Sequence, residues 1–232
     1  MNKISSLLIS LILIPFTVSL ADDVALLQAN EIISKADSVG AYHDSVFSEI
    51  KYRFHEMAIF NELEKDGRVK KSDTTIAVVT MKGDKEIERE QVYKSGKKGH
   101  KKEGKSEGGG EASFSFSFDE MDSLVDYSLT EETDSTYVLL ANPNTDPPQK
   151  GAIKGTMVVD KSSFSFRRMA FEVPKPEGPL KEFYMEMDFK PLEGGLVVPY
   201  AMKMKGFARA MLGIVKIRFS MEMQSSEFEI LE

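Results

Sequence analysis

Residues 182 to 223 read EFYMEMDFKPLEGGLVVPYAMKMKGFARAMLGIVKIRFSMEM, and their alternation decides the fold. Phe183, Met185, Met187 and Phe189 share one parity, with Glu182, Glu186 and Asp188 on the other and Tyr184 as the exception. After Gly194-Gly195 the period returns as Val198, Tyr200, Met202 and Met204 against Lys203 and Lys205. It returns again as Val215, Ile217, Phe219, Met221 and Met223 against Lys216, Arg218, Ser220 and Glu222. A period of two puts successive side chains on opposite faces of an extended chain, so three β-strands are predicted, each with one apolar and one wet face. Short links favour antiparallel neighbours, and the apolar face of such a sheet needs a cover.

Residues 22 to 39 predict the one long helix that could supply it. Asp22 and Asp23 suit its N-terminal end, Val24, Leu27, Ile32 and Ile33 with Ala25, Ala29 and Ala36 give an apolar side, and Gly40 is expected to stop it. From Phe47 to Tyr93 the chain reads as a meander with turns at Lys65-Asp66-Gly67 and Lys82-Gly83-Asp84. Ile50, Tyr52 and Phe54 alternate, and the parity is expected to shift at His55-Glu56 so that Met57, Ile59 and Leu63 continue the apolar face, as at a bulge.

Residues 94 to 110 hold six lysines, two glutamates, six glycines and no apolar residue, which predicts a flexible surface loop. From Glu111 to Gln149 there are nine acidic residues and no Lys or Arg, so a basic tract stands beside an acidic one. Phe114, Phe116 and Phe118 predict a short strand, and Asp119 to Val125 one or two helical turns. Hairpins follow around Tyr137 to Ala141 and around Asp160 to Ser163, with a parity change near Arg167-Arg168, and Phe228 with Ile230 read as a last strand. The fold class is mainly β: one antiparallel sheet of about 10–11 strands under an N-terminal helix and short helices.

The first 21 residues stand apart. Lys3, the apolar run Ile4 to Ile14, Pro15 and Ser19-Leu20-Ala21 predict a signal peptide cleaved after Ala21, leaving residues 22–232 as a single domain. Losing Lys3, the only charged residue there, takes the formal net charge from −7 to −8. An acidic balance argues against general nucleic-acid binding. No later run approaches the roughly 18 apolar residues of a membrane span, so a mature chain soluble outside the cytoplasm is expected. With no cysteine in the chain, disulfides and thiolate metal sites are excluded.

Two motifs fail on context. Gly99 to Ser106 has the G-x-x-x-x-G-K-S spacing of a phosphate-binding loop, but Gly108-Gly109-Gly110 follow where a helix must start. His55-Glu56 opens like a zinc-protease helix, yet position 59 is Ile. His43, His55 and His100 are widely spaced, no nucleophile elbow is present, and no cofactor or catalytic residue is assigned. The candidate site is instead the apolar face: Phe183, Met185, Met187, Tyr200, Met202, Met204, Ile217, Phe219, Met221 and Met223. Methionine is flexible and polarizable, so a face rich in it can repack around ligands of different shape, or fill an ordinary core.

The order of elements resembles the periplasmic outer-membrane lipoprotein carrier and lipoprotein-sorting (LolA-like) family. The resemblance is carried by the helix after a signal peptide, by Tyr137-Val138-Leu139-Leu140 ending in Asn142-Pro143, and by Gly155 to Asp160 followed by Phe166-Arg167-Arg168. Gly194 to Pro199 and the closing strand Met221 to Ile230 complete it. The resemblance implies a strongly curved, incomplete β-barrel closed by helices, with a cavity for acyl chains. It implies a periplasmic carrier or sorting protein for lipoprotein or lipid, passing cargo between envelope protein partners. Each CH₂ removed from water is worth roughly 0.8 kcal/mol, which is how such a cavity shields lipid tails. The alternative is a non-enzymatic envelope sensor or interaction module, in which the apolar face is closed core and the basic loop or a sheet edge meets a partner.

Overall fold

A computed structural model describes residues 16–95, 123–176, 178–210 and 215–231. One helix, α1 (Phe16–Phe47), precedes ten strands: β1 (Lys51–Leu63), β2 (Val69–Lys82), β3 (Lys85–Lys94), β4 (Val125–Glu132), β5 (Thr136–Pro143), β6 (Lys154–Asp160), β7 (Phe166–Glu172), β8 (Leu180–Pro191), β9 (Val197–Ala210) and β10 (Val215–Leu231). All ten lie in one antiparallel sheet in the order β3-β2-β1-β10-β9-β8-β7-β6-β5-β4. The sheet is curved and unclosed, with β3 and β4 as its edges. A single 3₁₀ turn, Glu193–Gly195, is the only short helix among the described residues.

The helix is longer than the sequence predicts at both ends. It passes through Gly40, because a glycine costs a helix only about 1 kcal/mol and nothing crowds that position. Buried Phe47 marks its end, and the Ile50 N–H returns to the Phe47 carbonyl at 3.0 Å. The turn between β2 and β3 closes on this corner. Gly83 has φ +59, and a Cβ there would lie 2.9 Å from the Ser48 backbone, so the close approach requires glycine.

Two readings of parity are corrected. The strand β1 keeps one parity throughout, with Tyr52, Phe54, Glu56, Ala58 and Phe60 on the concave face; Met57 and Ile59 lie on the convex one. The extra residue sits in β10, where Glu227 and Phe228 oppose Phe54 alone and Glu227 takes φ 53. Phe228 and Ile230 are therefore not a separate strand but the far end of β10 beyond that bulge. The parity change read near Arg167-Arg168 is present, as a register shift between β6 and β7. The Phe114–Phe118 strand and residues 96–110 of the basic loop lie outside the described residues, as does most of the turn from Asp119; Val125 opens β4.

Two clusters fill the concave side. Ala29, Ile32, Ile33 and Ala36, at helical spacing, pack with Val125, Tyr127, Leu139, Met157, Met169 and Phe171 and with the methionines of β8 and β9. Phe47 joins Tyr52, Leu196 and Val198 in the second, smaller cluster. Burial there, with the nearby Asp84 carboxylate adding, pushes the Tyr52 phenol up to about 12.

Candidate ligand-binding face

Cross-strand register converts the alternation of single strands into rungs that cross the whole sheet. One rung runs Leu139, Met157, Met169, Met187, Met202, Met223 and Ala58, placing five methionines side by side on β6 to β10. Its neighbour runs Phe171, Met185, Met204, Met221 and Phe60. A third places Gly206 between Phe183 and Phe219. A Cβ on Gly206 would lie 2.6 Å from Cζ of Phe219, so this ring rests over the glycine.

Exposure rises along the two methionine rungs toward β1. Met185, Met187, Met202 and Met204 are 1–9% exposed, in the cluster that α1 completes. Phe183, Met221 and Met223 are half-buried at its margin, Phe219 is half-buried beside Gly206, and Ile217 and Phe60 are 40% exposed. Phe60 and Phe219 stack at 6.1 Å between ring centroids, 16° from parallel. Eight of the ten residues singled out from sequence thus fall on these three rungs, and Ile217 lies on the same face across from Ala208; Tyr200, the extra residue where β9 bulges against β8, is half-buried beside Lys190. Phe60 completes the open part and was assigned no role by sequence. Unbroken even parity from Tyr52 was the signal, and Glu56 obscured it.

Glu56 is a carboxylate on an apolar face, 7% exposed. It is tolerated because Arg89 Nη1 donates to it at 2.6 Å, while Arg89 Nη2 donates to Glu86 at 2.8 Å. An extra residue in β3, between Glu86 and Glu88, brings Glu86 and Arg89 to the same side of the strand. The Glu86 carboxylate, then that of Glu56, outweighs burial and holds the Arg89 guanidinium firmly protonated. This triad ties edge strand β3 to β1 across β2 and sets a polar border to the open apolar area.

The turn from β6 to β7 is built on Asp160, which accepts from the Ser162 and Ser163 N–H groups and from Arg167 Nε at 2.8 Å. Burial pushes its carboxyl up, but the Ser162 hydroxyl, the Ser163 N–H and Arg167 outweigh that and hold it well below the usual carboxylate range. His43 lies on α1 with its ring edge-on to Phe47, and His55 lies in β1 with Nε2 3.5 Å from Glu227. Among the described residues no group of three or more His, Cys, Asp and Glu side chains is placed to hold a metal ion. Among them, too, no helix is long and apolar enough to cross a membrane.

No family model matches the chain, and no curated protein matches it in sequence. Among solved structures it is similar to an outer membrane lipoprotein-sorting protein domain from Vibrio parahaemolyticus, at 11% identity and a TM-score of 0.33, over 86% of this chain and 94% of that one. It is similar to a LolA superfamily protein from Nitrosomonas europaea, at 12% identity and a TM-score of 0.31, over 88% and 94%. It is also similar to a chain of the MucA/MucB complex of Pseudomonas aeruginosa, at 8% identity and a TM-score of 0.29, over 88% and 99%. The family that the sequence resembles is thus represented among these structures. At such identities the likeness concerns the course of the chain, and the function rests on the side chains above.

Proposed function

We propose that the open part of the concave face binds apolar chains of the lipid acyl type, and that the protein serves as a non-enzymatic carrier or sorting protein in the envelope, exported by its leader. The observation that carries this reading is exposed Phe60 stacked on half-buried Phe219 beside half-buried Met221 and Met223, at the margin of the helix-covered core. At about 25 cal/mol per Å² of apolar area withdrawn from water, a tail laid along these residues gains several kcal/mol without any bond being broken. Adjustable methionines behind the rings accept tails of different length.

The test is thermal unfolding of delipidated protein with and without a long-chain fatty acid or lysophospholipid. Ligand that binds the folded state raises Tm with concentration. Phe60→Asp is expected to abolish the rise while leaving the fold intact. A Tm indifferent to every apolar ligand defeats the carrier reading.

One observation supports the interaction-module alternative. The helix-covered half is closed, with Met185 and Met187 among its buried residues, while Val92 and Tyr93 stand exposed on edge strand β3. In that case Val92→Asp, and not Phe60→Asp, weakens capture of a partner chain.

A further inference from the structure

The convex face of β8, β9 and β10 shows a gradient of charge compensation. In register, Lys203 lies between Glu186 and Glu222, then Lys205 between Tyr184 and Ser220, then Phe207 between Glu182 and Arg218, and last Arg209 directly across from Lys216. Arg218 is neutralised: Nη1 donates to Glu182 at 2.9 Å, and its guanidinium lies 4.4 Å from the centre of the Phe207 ring. Lys205, Arg209 and Lys216 are exposed and have no carboxylate across the strand from them. Lys181, the extra residue where β8 bulges between Leu180 and Glu182, is a fourth exposed cation, its ammonium donating to the Gly178 carbonyl at 3.3 Å.

Like charges directly opposite each other on two strands work against the sheet. This chain has a net charge of −7, so the Arg209–Lys216 rung is not a by-product of a basic composition. Among the described residues no carboxylate lies across from it to supply the counter-charge. The same end of the convex face also exposes an aliphatic side chain: Val69, at the start of β2, lies across Leu63 from Arg218. Cations beside an exposed aliphatic side chain suit the boundary between headgroups and acyl chains, whereas an acidic protein surface calls for the charge alone.

We infer that this end of the β9–β10 hairpin docks on an anionic lipid membrane, with headgroup phosphates meeting Lys181, Lys205, Arg209 and Lys216. The four residues that join the strands, 211 to 214, read Met-Leu-Gly-Ile and lie outside the described residues; the surface is defined without them. The cations lie on the convex side, so the docking surface stands whether or not the concave face takes a ligand.

Flotation of the full chain with vesicles of phosphatidylcholine alone, and of phosphatidylcholine with about one third phosphatidylglycerol, tests it. Binding is expected only to the anionic vesicles and is lost at high salt. A basic residue near an anionic surface is worth roughly fivefold in affinity, so Arg209→Glu with Lys216→Glu should weaken binding at least about tenfold. Lys216→Glu alone turns a repulsive rung into an attractive one, so it should keep or raise Tm while still weakening vesicle binding, which separates docking from misfolding. Phe60→Asp should float like the unaltered chain. Absence of binding, equal binding to both vesicle types, or binding indifferent to these charge reversals overturns the inference. So does a chain that binds polyglutamate and ignores anionic vesicles, which would assign the surface to an acidic protein.

Discussion

Met185 and Met221 occupy one rung of one face with only Met204 between them, yet the first is 1% exposed and the second stands half-exposed at the margin of the core. The strands do not differ in kind on the two sides; the cover does. Ala29, Ile32, Ile33 and Ala36 close the region from β4 to β9, and Phe47 with Leu196 closes the corner near Tyr52, so that among the described residues no helix lies over Phe60, Ile217, Phe219 and Met221. The same chemistry is therefore a packed interior at one end of a rung and an adaptable surface at the other. A face rich in methionine takes its role from what lies on it.

Substitutions should separate the two regions. Met185→Asp buries an unpaired carboxylate among apolar groups and should cost more than about 4 kcal/mol, enough to abolish the cooperative urea transition. Met221→Asp should cost only about 1–2 kcal/mol, because its carboxylate reaches water, and equal losses would show that the regions do not differ. Next in size is Asp160→Asn, expected to cost about 2–4 kcal/mol through lost charge-assisted hydrogen bonds from Ser162, Ser163 and Arg167.

The Asp160 effect has a sign in pH. Its folded-state pKa lies below the ordinary aspartate value, so its contribution is full above roughly pH 4 and is lost as pH falls from there through the folded pKa. Urea midpoints of the two proteins should differ equally at neutral and mildly acidic pH and converge in strong acid. A smaller effect is expected for Gly206→Ala. Its Cβ displaces the end of the Phe219 side chain, costing about 1–2 kcal/mol and altering the binding of an apolar dye at the open area. Smallest in stability is Phe60→Ala, under about 1 kcal/mol at a ring 40% exposed, with apolar-ligand affinity falling about tenfold.

Much of this arrangement was legible in residues 182 to 223, because Met and Phe alternate there with Glu and Lys and even Tyr184 belongs to the wet side, its hydroxyl donating to Glu186 at 3.0 Å. The alternation identified the face but not its cover, since nothing local to β8 or β10 records how far α1 extends. In β1 the single buried charge, Glu56, inverted the apparent parity, because its partner Arg89 lies two strands away. Met57 and Ile59 were read as inward and Phe60 was passed over. Phe207 escaped notice for the converse reason: it is an apolar residue on the charged face, buried under Arg218.

The sheet's middle is made by its last strand. β10 pairs with β1 on one side and β9 on the other, so without it β1–β3 and β4–β9 are two separate ribbons, three strands and six. Lys51 must find Leu231 across almost the whole chain, a pairing of high contact order that delays closure. A polypeptide made from its N-terminus delivers this strand last, so the unfinished chain displays both unpaired inner edges to any chaperone or protease that meets it. Loss of β10 then opens the molecule at its centre and not at its rim.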